Sequence, residues 1–431
     1  MHYDIVIVGG GAGGLELAAR LGRKLGPKAG KERVLLIDRS SFHIWKPTLH
    51  EVAAGTLDTH QEGLSYSILG RANHFSFLLG ELDSFDPVAK RLNLKPILAE
   101  GGKVLVPERG VTFSWGVLAI GSGSNLFGTP GADQAHLLER TEDAEAFHTR
   151  LLAAFMKASF STEKTMSVAI VGGGATGVEL SAELIEAHRE LLGSLGSEQR
   201  FRLDIAIVEA APRILGGLPE KISDQATVAL ERKGVRVHTG AKVVAVHPDR
   251  LETSQGDIPA DLIVWAAGVK AAPANAGYGL EINRTNQFVV NERLETSAPD
   301  VWALGDCAAA PWVGTEGKEG RIIPARAQAA HQQASYLAKA LIARLGQRRV
   351  EAPFVYRDFG SLLSLGENKG VGALMGGLGG PNFFVEGLIA KWAYISLHLD
   401  HHRAIMGTPK TIVLALARLL QQRVAGRLKL H

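Results

Sequence analysis

Gly9, Gly11 and Gly14 stand in the spacing GxGxxG, and Gly172, Gly174 and Gly177 repeat it. The chemistry of that spacing is anion binding. The first glycine permits a tight turn, the second lets the main chain approach a pyrophosphate, and the third lets the following helix pack on its strand, so that the amides at the helix start face the anion. One such set is weak, but here the surroundings recur as well: residues 5–19 read IVIVGGGAGGLELAA and residues 168–182 read VAIVGGGATGVELSA. Each copy leads to an acid at the end of a further apolar run, Asp38 lying 24 positions beyond Gly14 and Glu209 lying 32 beyond Gly177. The longer interval contains the polar stretch Gly193–Arg200.

A carboxylate at this place accepts hydrogen bonds from ribose hydroxyls and repels a 2′-phosphate, so the second site is expected to prefer NADH to NADPH, tempered by the nearby Arg213. Cys307 is the single cysteine, which excludes an internal disulfide, a CxxC redox pair and a multi-thiolate metal cage. Two dinucleotide sites without a dithiol point to one resident FAD and one exchangeable nicotinamide. The pair Gly305–Asp306 suits the ribityl and phosphate region of a flavin. Beyond Pro324 a run of helix formers extends to Leu345, with Gln328 and Gln332 on one face near its start. Such a helix start offers its dipole and free amides to negative charge on a reduced flavin ring. Glu179 falls in the first turn of the second nucleotide helix, and Glu16 holds the same place in the first, where an acid also complements the helix dipole. His398, His401 and His402 around Asp400 are read as interfacial or solvated rather than as metal ligands.

These residues need strands and helices to hold them. Each repeat reads as strand, tight turn and helix, followed by another strand (residues 34–38 and 205–209), which makes two βαβ units. The expected fold is α/β, with two Rossmann-like dinucleotide-binding domains, the NAD domain inserted in the FAD domain, and a C-terminal membrane-associating region. The domains are placed at 1–149 with 287–345, at 150–286, and at 346–431. A composition of 46% hydrophobic and 21% charged residues is that of a packed protein, and a net charge of +3 is too small to mark a nucleic-acid binder. Neither a signal peptide nor an apolar run long enough to span a bilayer is visible.

The last segment differs in charge. Between His401 and His431 lie Arg403, Lys410, Arg418, Arg423, Arg427 and Lys429 with no acid after Asp400. Ile412, Val413, Leu416, Leu419, Leu420 and Val424 fall on one helical arc, with Arg418 and Gln422 opposite. This is the composition of a helix lying on an anionic lipid surface, although the same arc would serve packing on its own protein or on a partner in a homodimer.

Taken together, the chain resembles the two-dinucleotide-binding-domain flavoproteins, and among them the type II NADH:quinone oxidoreductases. The likeness rests on Phe42–Gly55 (FHIWKPTLHEVAAG), the duplicated loops, Trp265–Val269, Gly305–Cys307, Arg326–Gln332 and the ending Arg427–His431. That family commonly has two prolines before the glutamine motif, whereas here Ala325 follows Pro324. The resemblance implies FAD held by Gly9, Gly11, Gly14, Asp38, Lys46, Gly305, Asp306, Ala327 and Gln328. It implies NADH held by Gly172, Gly174, Gly177, Glu179, Glu209 and Gly268. Glu179, Gln328 and Gln332 are the expected catalytic residues, the glutamines bordering a cavity for membrane quinone. The implied activity passes electrons from NADH through flavin to quinone without proton pumping, at the cytoplasmic face of the inner membrane. A soluble flavoprotein reductase of an electron-transfer protein and a flavin-bearing NADH sensor remain the alternatives.

Overall fold

The computed structural model describes residues 1–99, 101–314, 320–366, 370–374 and 383–424, with backbone only for 370–374, 383–394, 419 and 421–424. The first sheet grows from β1 (His2–Val8), followed by helix α1 (Ala12–Leu25), β2 (Val34–Asp38), the short helix α2 (Leu49–Ala54), β3 (Ser76–Leu79) and β4 (Arg109–Leu118). Its order is β3-β2-β1-β4, all parallel, with Val6 beside Leu35 and Val8 beside Leu118. The far edge of β4 is shared by an antiparallel pair from residues 82–94 and by Val301–Ala303, which returns to this sheet from much later in the chain. Ile5, Val6, Ile7, Val34, Leu36 and Ile37 are fully buried. Such unbroken β-branched and leucine runs are what a parallel strand covered on both faces requires.

Helix α3 (Thr141–Phe160) leads into the second unit, β5 (Thr165–Val171), α4 (Ala175–Ser194), β6 (Arg202–Glu209), β7 (Val235–Thr239) and β8 (Leu262–Trp265). These strands form a parallel sheet ordered β8-β5-β6-β7, edged by His136–Leu137. The expected junction near 149/150 falls within α3. Helix α4 runs to Ser194, two residues into the polar stretch Gly193–Arg200, and Leu191 and Leu192 near its end pack on the second core. A two-stranded link, Gly123–Ser124 with Val269–Lys270, ties the two units together.

Helix α5 (Ala327–Leu345) packs on α1. Beyond it β9 (Gly360–Ser364) opens a three-stranded antiparallel sheet with residues 370–374 and 383–386, and α6 (Gly387–Met406) and α7 (Thr408–Val424) follow. Among the described residues, no helix is long and apolar enough to cross a membrane.

Candidate active site

Both glycine loops sit where a central first strand ends and its neighbours diverge, the crevice in which doubly wound sheets take ligands. Gly9 and Gly172 have φ of +104° and +107°, and a Cβ on either would lie within 3 Å of main-chain atoms of Ala119 or Ala267. On Gly14 or Gly177 a Cβ would collide with the carbonyl of Gly9 or Gly172. Around Gly11 and Gly174 there is open space, the room an incoming pyrophosphate needs. The acids repeat as well. Asp38 accepts the N–H of Gly10 at 2.6 Å and of Ser40 at 2.8 Å, while Glu209 accepts those of Gly173 at 2.7 Å and Ala211 at 2.8 Å. Burial pushes the Asp38 carboxyl up. Arg213 donates to the carbonyls of Leu215 and Gly216, so its guanidinium is engaged by the adjoining loop.

Three chain-distant pieces converge on the first loop. Gly305, at φ +72°, donates its N–H to Gln333 of α5 at 2.7 Å, and Asp306 accepts the Ser122 hydroxyl at 3.3 Å. Lys46 donates to the Ser122 carbonyl at 2.7 Å. The start of α5 at Ala327 has no side-chain cap, leaving amides free for a ligand. Lys46, Asp306 and this helix start are therefore neighbours, a set of donors and one acceptor fitted to a flavin nucleotide. Gly268 lies elsewhere, at φ +70° beside Asn125 and Phe127 in the interdomain link. Gln333 was missed by sequence reasoning; its signal is an amide on the buried rather than the open face of α5, where it is only 2% exposed.

A cleft of about 1110 Å³ runs from the second glycine loop to the start of α5 and on to α6, lined among others by Gly174, Glu179, Trp45, Gln328 and Gln332. The two glutamines border it, but their amides are spent on its wall. Gln328 accepts from Phe359 N–H at 3.1 Å and donates to the Gly360 carbonyl at 2.8 Å. Gln332 exchanges two bonds with the backbone of Arg357, at 2.8 and 3.0 Å. The same strand then reaches the other domain, where Ser364 N–H donates to Glu179 at 3.1 Å.

The duplicated glutamates have diverged. Glu179 is 7% exposed, and burial raises its carboxyl to about 8, helped by the charges of Glu51 and Glu183. Among the described residues its nearest basic side chain, His50 at 3.8 Å, is itself held neutral by burial, at about 4. Glu179 therefore keeps its proton at neutral pH. Glu16 is 1% exposed, yet it bonds His331 Nδ1 and also Arg20 Nε, the latter at 2.7 Å. Burial pushes its carboxyl up, but His331 and Arg20 outweigh this and hold it below the ordinary range.

Two expectations are corrected by tertiary packing. His398, His401 and His402 are buried rather than interfacial or solvated: His398 packs against Trp45 with ring centres 4.7 Å apart and planes tilted by 33°, and His401 Nε2 meets His43 Nε2 at 2.8 Å. Arg418, expected on the solvent face of α7, points inward in a two-pronged ion pair with Glu62. Ile412, Val413, Leu416 and Leu420 are 54–67% exposed, so the apolar arc faces outward. Arg403 is paired with Asp400. Arg427 and Lys429, with the ending 427–431, lie outside the described residues, as do the side chains of Leu419, Gln422, Arg423 and Val424. Cys307 is fully buried and its thiol is pushed up to about 12 by that burial, the surroundings of a structural cysteine.

The model of the pyridine nucleotide-disulphide oxidoreductase family matches residues 3–334. The chain is 39% identical to the type II NADH:quinone oxidoreductase of Haemophilus influenzae, over 99% of this chain and all of that one. A Mycobacterium tuberculosis type II NADH:quinone oxidoreductase is 28% identical over 93% of this chain and 84% of its own. Among solved structures, NDH2 from Plasmodium falciparum in complex with NADH superposes with a TM-score of 0.80 at 18% identity, covering 99% of both chains. The sulfide:quinone oxidoreductase of Aquifex aeolicus shares the fold, at a TM-score of 0.71, 15% identity and coverage of 98% and 95%.

Proposed function

The chain belongs to the pyridine nucleotide-disulphide oxidoreductases and, within them, to the type II NADH:quinone oxidoreductases, and from that premise we propose how its own residues carry out NADH oxidation and quinone reduction. FAD occupies the first glycine loop, Asp38, Lys46 and Gly305–Asp306, with Ala327 and Gln328 at the helix start beside its ring. NADH occupies the second loop, with Glu209 at the adenosine ribose and Glu179 toward the nicotinamide. The observation that carries this reading is the cleft that joins the second loop to the start of α5. When bound there, FAD supplies acceptance of a hydride and release of two electrons.

The chain's work is orientation and exclusion of water. Gln328 and Gln332 fasten residues 357–360 as the wall against which a quinone ring lies, and protonated Glu179 spares the nicotinamide end an unpaired buried charge. The outward apolar arc of α7, and the exposed Val355, Phe359 and Leu397 at the cleft, suit a lipid surface delivering an apolar acceptor. We place the protein peripherally at the cytoplasmic face of the inner membrane; a homodimer partner is the other occupant such an arc would admit. The decisive experiment adds NADH anaerobically to FAD-loaded protein and then quinone. Bleaching of the flavin followed by recolouring is expected; bleaching without recolouring would leave the NADH-sensor reading.

A further inference from the structure

Quinone reduction by NADH does not balance without solvent. The hydride brings two electrons and one proton equivalent, whereas a quinol needs two electrons and two protons, so each turnover draws one proton from water. The cleft contains both copies of the duplicated glutamate, one from each nucleotide helix, and one of them is joined to an imidazole.

We propose that His331, held by Glu16, is the proton donor at the acceptor end of the cleft, with Glu16 as its positioning residue; this rests on the quinone-reductase reading above. His331 lies on α5 between Gln328 and Gln332 and lines the cleft with its side chain 23% exposed. Its Nδ1 is taken by Glu16 Oε2, and a carboxylate only accepts, so Nδ1 carries hydrogen and Nε2 is the ring atom left to serve the cleft. Glu16 is itself fixed, receiving Arg20 Nε at 2.7 Å and the Ser335 hydroxyl at 3.5 Å. The other side of His331 faces His401, ring centres 5.0 Å apart. That imidazole already meets His43, whose Nδ1 donates to the Gly10 carbonyl at 3.0 Å.

The step balances. The Nε2–H bond of the His331 imidazolium breaks and its proton goes to one carbonyl oxygen of the quinone as two electrons arrive; the other oxygen takes the proton equivalent that came with the hydride, and the neutral ring regains a proton from water at the cleft mouth. The ionised Glu16 offsets the positive charge in the interval when His331 carries both protons. The environments of the two glutamates are thus set apart for two tasks. Glu179, with no cation at contact distance among the described residues, stays neutral at the nicotinamide end, and Glu16 serves as a fixed anion at the acceptor end.

The test uses FAD-loaded full-length protein reduced with one equivalent of NADH, then mixed with a short-chain ubiquinone or with ferricyanide, which takes electrons but no proton. Flavin recolouring is followed alongside proton uptake from a pH-indicator dye. For His331→Ala the quinone rate should fall by about 100-fold relative to the ferricyanide rate, the usual scale for a lost general acid, and added imidazole should restore part of it. For Glu16→Gln the alkaline limb of the quinone rate–pH profile should move to lower pH, a change that a packing defect does not produce. Equal slowing with both acceptors and no imidazole rescue would overturn the assignment, as would an unmoved limb in Glu16→Gln. If the wild type bleaches with NADH but never recolours with quinone, the functional reading fails first. Should a variant lose FAD, the solvent deuterium isotope effect decides: the proposal requires one on wild-type recolouring by quinone and none with ferricyanide, and equal effects overturn it.

Discussion

Glu16 and Glu179 occupy equivalent places in a duplicated motif, yet one is paired with His331 and Arg20 and the other is enclosed beside neutral His50. The difference has a thermodynamic signature. Because the folded carboxyl of Glu179 titrates near 8 against an ordinary 4.5, the unfolded chain releases its proton first as pH rises, and the folded state loses stability across that window. Glu179→Gln removes the titration. The melting temperature of the wild type should therefore fall relative to the variant between about pH 4.5 and 8 and run parallel to it above, as calorimetry at several pH values will show. Glu209 supports a second expectation at this scale. Its carboxylate closes the second loop through Gly173 and Ala211, and in the proposed NADH site it presents negative charge to the 2′ position of the adenosine ribose. Glu209→Gln should narrow the preference for NADH over NADPH by roughly tenfold, mainly through KM, since the adenosine end is remote from the hydride.

Among the elements, helix α5 does most to assemble the site. Its buried face carries Gln333 to Gly305, and its open face carries Gln328 and Gln332 to the backbone of 357–360. Removing either open-face amide leaves two backbone groups of that wall without partners, a loss on the order of 1–3 kcal/mol if they stay buried. Gln328→Ala and Gln332→Ala should slow flavin recolouring by quinone while bleaching by NADH stays near the wild-type rate in stopped flow. Equal slowing of both steps would make the glutamines supports of the flavin site rather than of the acceptor wall. The strand that they fasten also touches Glu179 through Ser364, so β9 links residues 357–360 to the second glycine-loop unit.

On the scale of the whole molecule, α7 turns Arg418 inward and Ile412, Val413, Leu416 and Leu420 outward. The Arg418–Glu62 pair holds the helix to the first domain, near His398. Replacing Val413, Leu416 and Leu420 together by Gln should abolish flotation with liposomes, because each leucine or valine withdrawn from lipid forfeits about 1.5–3 kcal/mol. Bound FAD and ferricyanide reduction should persist, since these side chains face away from both nucleotide sites. Salt should weaken only the part of attachment owed to basic residues. If the triple variant still floats, attachment lies elsewhere; if it instead changes from dimer to monomer in solution, the arc is a subunit interface.

The sequence by itself determined the two glycine loops, their strands, the acids after them and the start of α5, because turn geometry, strand runs and helix entry are local and write themselves into residue type and spacing. It also determined that no dithiol takes part, since there is one cysteine. Only the tertiary structure decided the rest. Whether an acid in the first turn of a helix keeps or loses its proton depends on what other segments bring to it, and His331 lies 315 positions from Glu16. The three histidines of α6 look solvated in sequence because they flank Asp400, yet Trp45 and His43 from the other end of the chain bury them. Arg418 sits on the polar side of its helix by periodicity, and it turns inward because Glu62, 356 positions away, supplies the countercharge. Burial and pairing are non-local, so residue spacing alone carries no record of them.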